Sequence, residues 1–125
     1  MKNRVIAMLI LIAALTGCGD SFVKVESDRV SLKKEYLAVL ASVQDEDSAK
    51  AAVPKIEAIA AKMDELEKRV KALGEPTEAD MKQMMESMKD ADTGPEMPIL
   101  KEHSRIANNR ALRNILAPAM NKINE

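Results

Sequence analysis

AKAAVPKIEAIAAKMDELEKRVKAL, residues 49–73, decides the fold. Along it Ala49, Ala52, Ile56, Ile59, Met63, Leu66, Val70 and Leu73 recur in strictly alternating steps of three and four. That repeat keeps every apolar side chain on one stripe of a helix, the seam through which coiled coils and bundles interlock. Asp64 and Lys68, Glu65 and Arg69, and Glu67 and Lys71 stand as acid-before-base pairs at i,i+4, which favours the helix further. Gly74 is placed for a left-handed cap, and Pro76 stands just beyond it. Pro54 is expected to kink the helix, or to open its main segment after a short preceding turn. The spacing predicts a helix over 48–73.

The same pattern extends upstream. Phe22, Val25, Arg29, Leu32, Tyr36, Val39 and Val43 again alternate by three and four; only Arg29 interrupts the stripe, and Leu37 and Leu40 widen it. A helix over 21–44 follows, capped by Asp20 or Ser21. The polar run Gln44-Asp45-Glu46-Asp47 is expected to turn the chain, so two long helices form an antiparallel hairpin. Downstream, Thr77 with Asp80 has the spacing of a capping box and opens a helix over 77–91. Asp92-Thr93-Gly94-Pro95 breaks it, and helices over 97–107 and 109–123 follow, separated by Asn108-Asn109. The last carries Ala111, Leu112, Ile115, Leu116, Met120 and Ile123, with Pro118 near its end. Only 2% of the residues are aromatic and 31% are charged, and helix formers supply most of the rest. The fold class is therefore all-α: a small bundle of four to five helices beginning with a long antiparallel hairpin, in one domain over 18–125.

The first eighteen residues are of a different kind. Lys2-Asn3-Arg4 is basic, Val5–Leu15 is an unbroken apolar run, and Leu15-Thr16-Gly17-Cys18 closes it. A basic start, a short apolar segment and small residues at the end make a secretory signal. The run is too short to span a ~30 Å hydrocarbon core as a helix. The closing tetrapeptide resembles the lipobox of bacterial lipoproteins. That resemblance implies cleavage of residues 1–17, transfer of diacylglycerol to the Cys18 thiol, acylation of the new amino terminus, and residence on a membrane of the cell envelope. Cys18 is the sole cysteine, so it has no disulfide partner within the chain. Two or more acyl chains anchor a protein stably where one does not. By the sorting pattern of enteric lipoproteins, Gly19 after the cysteine, with Asp20 one later, favours the outer membrane facing the periplasm in a host that has one. A host without one leaves only the cytoplasmic membrane.

Removal of residues 1–17 leaves 108 residues with 17 basic and 20 acidic side chains, a formal charge of −3. This gives no electrostatic footprint for nucleic acid. Met81, Met84, Met85 and Met88 stand at i, i+3, i+4 and i+7, with Met97 and His103 further on. The expected reading is the buried face of an amphipathic helix. The alternatives are a soft thioether site for Cu(I), in which His103 could join, and an adaptable docking surface. His103 is the sole histidine and has no placed nucleophile or carboxylate, so a hydrogen-bonded or solvated residue is expected. Asp45–Asp47 lacks the spacing of a calcium loop, and no glycine-rich phosphate loop exists. Arg105, Arg110 and Arg113 are expected on a solvated surface. The expected function is non-enzymatic: a lipid-anchored interaction, scaffold or chaperone-like domain without a cofactor beyond the lipid on Cys18. Its partners would be the membrane and a protein or second copy met through helix packing; the alternative is an envelope copper protein.

Overall fold

A computed structural model describes residues 20–89 and 94–124. Leu15, Thr16, Gly17 and Cys18 lie outside the described residues. Five helices are found among them: α1 (Phe22–Ala41), α2 (Glu46–Leu73), α3 (Glu78–Lys89), α4 (Glu96–Ala107) and α5 (Arg110–Asn124), with no strand. The all-helical bundle opening on a long hairpin is what the spacing predicts.

The helix ends have local causes. Ser21 caps α1 by accepting from the Lys24 amide at 3.2 Å. Asp45 and Ser48 form a reciprocal capping box: Asp45 Oδ1 accepts from the Ser48 amide at 2.8 Å, and Ser48 Oγ accepts from the Asp45 amide at 3.0 Å. Glu46 and Asp47 therefore belong to the first turn of α2, where acids suit the helix dipole, and the helix begins two residues earlier than its apolar pattern predicts. Pro54 neither divides α2 nor starts it; it sits exposed inside one continuous helix. Pro54 offers no amide to the carbonyl of Lys50, an exposed residue on the outer side of the helix. Gly74 takes φ 76° and ψ −149°, a positive φ open to glycine, though not the left-handed helical cap. Thr77 and Asp80 exchange bonds as a box at 2.9 and 3.2 Å. Asn109 Oδ1 accepts from the amides of Ala111 and Leu112 at 3.1 and 3.2 Å and caps α5.

Cross-helix ion pairs fix the directions. Glu35 meets Lys62 at 3.2 Å and Asp28 meets Arg69 at 2.9 Å, so a step of seven along α1 is matched by seven back along α2. The hairpin is antiparallel. α4 runs alongside α1 in the same direction, through Lys33–Glu96, Tyr36–His103 and the Leu40 carbonyl with Arg105. After the Asn108-Asn109 turn, α5 doubles back along α2, where Lys122 meets Glu57 at 2.7 Å. α3 packs on α1 alone.

Two cores result. The larger joins α1, α2, α4 and α5 through Tyr36, Leu40, Val43, Ala49, Ala52, Ile56, Ile59, Ile106, Leu112, Leu116 and Ala119. The small side chains at 49, 52 and 119 let α5 approach α2 closely. The smaller core, at the start of α1 and the end of α2, holds Val25, Leu32 and Leu66, with Met63, Val70 and Leu73 only partly covered. The bundle is four helices deep at one end. At the other, α3 lies on the hairpin's α1 side and α5 no longer covers α2.

Candidate functional site

The structure overturns the expectation that the α3 methionines fill the core. No residue of α3 is buried; Met81, Met85 and Met88 are 47%, 62% and 57% exposed, and Met84 is half-buried. The cause is α3's single partner. α1 turns its apolar stripe toward α2, so α3 rests on it only through the side that carries Asp80 and Met84. Met97 and Leu100 of α4 are exposed too, at 73% and 57%. These five are the exposed large apolar side chains among the described residues, and all lie between positions 81 and 100. Met81, Met85 and Met88 lie along one side of α3, whereas Met97 and Leu100 are on α4; both helices pack on α1.

His103 does not join the methionines. Its Nε2 stands 2.8 Å from Tyr36 Oη, and the two rings meet edge to face at 5.7 Å between centroids. Burial pushes the Tyr36 phenol up to about 12 and holds the His103 imidazole below its ordinary value. Near neutrality the phenol is therefore protonated and donates, and a neutral imidazole accepts at Nε2. The expectation of a hydrogen-bonded helix residue describes it. Among the described residues, no three His, Cys, Asp or Glu side chains are grouped to hold a metal.

Tyr36 and His103 belong instead to a cleft of about 510 Å³ between α1, α2, the start of α4 and the end of α5. Tyr36, Met63, Ile99, Leu100 and Ile123 give it an apolar floor, and Arg29, Lys33, Glu67 and Glu96 stand around its mouth. Lys33 Nζ binds Glu96 Oε1 at 2.6 Å, and that bond holds the Glu96 carboxyl below its ordinary range. Arg29 pairs with Glu26 at 2.9 Å. No serine, threonine or cysteine lines the cleft. Apolar spacing alone does not reveal it, because it lies between α1 and α2 and the ends of α4 and α5. The polar residues inside the α1 stripe, Arg29 and Tyr36, are the one signal in the sequence.

A second constellation involves Asp20, two residues after Cys18 in the sequence. Arg69 does not take Glu65 as its helix neighbour; it crosses to the chain at the start of α1, where Nη2 and Nε hold Asp20, just before the helix, at 2.6 and 3.1 Å and Nη1 holds Asp28 at 2.9 Å. Lys68 takes Glu65 instead, at 2.9 Å. The Arg69 hydrogen bonds lower the Asp20 carboxyl and raise the guanidinium. A planar donor fork shared by two carboxylates fixes orientation in a way a single pair does not. Asp20 is thereby tied to the end of α2.

Arg105 and Arg113 are engaged locally, Arg105 with Glu102 at 2.7 Å and the Leu40 carbonyl at 3.0 Å, and Arg113 with the Ala107 carbonyl at 3.3 Å. Among the described residues no helix is long and apolar enough to cross a membrane. No known protein family, curated protein or solved structure matches the chain.

Proposed function

We propose that this chain is a bacterial envelope lipoprotein, anchored through lipid on Cys18, whose helical domain acts as a non-enzymatic interaction, scaffold or chaperone-like module. The observation that carries the interaction role is the exposure of Met81, Met85 and Met88 along one side of α3. A soluble surface rarely keeps its large apolar residues together unless they meet something. Unbranched thioethers adapt to differently shaped partners. The lipobox supports the anchor, and the Arg69 fork on Asp20 supports a domain held near the bilayer rather than on a long tether. The favoured site is the outer membrane, facing the periplasm, in a host that has one.

Mass spectrometry of the native amino terminus is expected to find acylated Cys18, and Cys18→Ser to release the protein from the membrane fraction. An unmodified chain cut elsewhere overturns the anchor. Exposure of the methionines also favours a second reading, a Cu(I) site made by Met81, Met84, Met85 and Met88 without His103, since packing no longer accounts for them. Anaerobic Cu(I) titration of the chain against a Met84→Leu/Met85→Leu/Met88→Leu variant separates the two. Equal affinities eliminate copper, and a loss of binding in the variant establishes it.

A further inference from the structure

The cleft around Tyr36 and His103 has the size and lining of a ligand site, and neither the lipid anchor nor the exposed methionines of α3 use it. We propose that it binds a single-chain amphiphile with an anionic head, the tail lying on Tyr36, Met63 and Ile123 and the head meeting Arg29 and Lys33.

The cleft lies between α1 and α2, beside the first turns of α4 and the Ile123–Asn124 end of α5 as described. It is a trough about 510 Å³ in volume, within the range of small-molecule sites. Its floor is fitted to hydrocarbon. Met63 and Ile123 are half-buried apolar side chains, and the only polar groups at depth, the Tyr36 hydroxyl and His103 Nε2, satisfy each other at 2.8 Å. A tail laid over them therefore leaves the Tyr36 hydroxyl and His103 Nε2 paired with each other.

The mouth selects the head. Arg29 and Lys33 stand one turn apart on α1 at the cleft's edge. Each is held by one carboxylate within reach of water: Glu26 is 29% and Glu96 56% exposed. An anionic head can take Lys33 while Glu96 is rehydrated, and an arginine fork accepts a carboxylate or phosphate in a bidentate manner. Glu67, across the mouth on α2, repels an anion from that side and directs the head toward α1. A cationic head could meet Glu67 but would lie beside the Lys33 ammonium and the Arg29 guanidinium, which repel it.

The proposal is independent of lipidation and is tested on the full chain carrying Cys18→Ser, so that no bilayer or detergent competes. Calorimetric titration with dodecanoate, kept below its micelle concentration, is expected to show one site per chain, with dodecyltrimethylammonium at least ten-fold weaker. Met63→Trp fills the floor and is expected to abolish binding, and Arg29→Gln with Lys33→Gln to weaken dodecanoate at least ten-fold. Circular dichroism establishes that each variant is folded. If Met63→Trp does not fold, Ile123→Trp in the last turn of α5 takes its place. Equal affinity for both heads overturns the assignment of Arg29 and Lys33. Binding that survives the floor-filling variant places the ligand elsewhere, for instance on the apolar run 5–15, and overturns the proposal, as does the absence of binding.

Discussion

Replacing Leu116 and Met85 by alanine separates core from surface, because the two residues lose equal numbers of heavy atoms from opposite environments. Leu116 is fully enclosed among α2, α4 and α5 (0% exposed), whereas Met85 is 62% exposed on α3. Three buried carbons at about 0.8 kcal/mol each make a transfer loss of about 2.4 kcal/mol for Leu116→Ala. The cavity left in a core framed by rigid helices raises this to roughly 3–4 kcal/mol. For a domain of about 100 residues each kcal/mol moves the midpoint by about 4 °C or slightly more, so a fall of roughly 12–18 °C is expected. Met85→Ala removes a side chain that is mostly in water already, and its cost stays below about 1 kcal/mol. Thermal and urea unfolding followed by circular dichroism measure both. Equal losses would refute the placement of α3, because a methionine that packs the core costs about 2–5 kcal/mol on truncation.

Asn109→Ala removes the side-chain oxygen that serves two amides at the start of α5 and is expected to cost about 1 kcal/mol, with Asn109→Gly costing only a few tenths; urea midpoints decide. Arg69→Gln is expected to let the Asp20 carboxyl titrate at a higher pH than in the parent, read by carboxyl carbon NMR; an unchanged titration refutes the fork. Because burial lowers His103 in the folded state, the unfolded chain binds the extra proton between the ordinary and the lowered value. The stability from neutral His103 is thus present above about pH 6.5 and lost as pH falls below it. His103→Gln should flatten the decline in melting temperature between pH 7.5 and 5.5, and an unchanged slope would refute the argument.

Local periodicity and cap chemistry made the helices legible. The 49–73 stripe became the buried side of α2, and Ser21, the Thr77–Asp80 pair and Asn109 each act where their residue types imply. What depends on neighbours was less legible. The methionine stripe of α3 has the spacing of a core face, yet spacing states only that side chains share a side, not that another helix covers it. Likewise Glu65 and Arg69 are ideally spaced for each other, but Asp20, just before α1, and Asp28, on it, outcompete one carboxylate on the same helix. The cleft could not be read at all from periodicity, since it depends on how α4 and α5 sit against α1 and α2.

The bundle is built unevenly, and this has a measurable consequence. Eleven buried residues, from four helices and the turn between α1 and α2, form the larger core, whereas only Val25, Leu32 and Leu66 are buried in the smaller one. Few buried contacts mean a low free energy of local opening. The start of α1 and the end of α2 should therefore open without the rest. In hydrogen exchange, amides of residues 25–32 and 66–73 are expected to be less protected than those of 36–40 and 52–59. The Arg69 fork is then the main tie closing the weak end, so Arg69→Gln should speed exchange at 25–32 and leave 52–59 unchanged. Uniform protection along both helices, or acceleration of equal size in all four segments, would show that the two cores open as one unit.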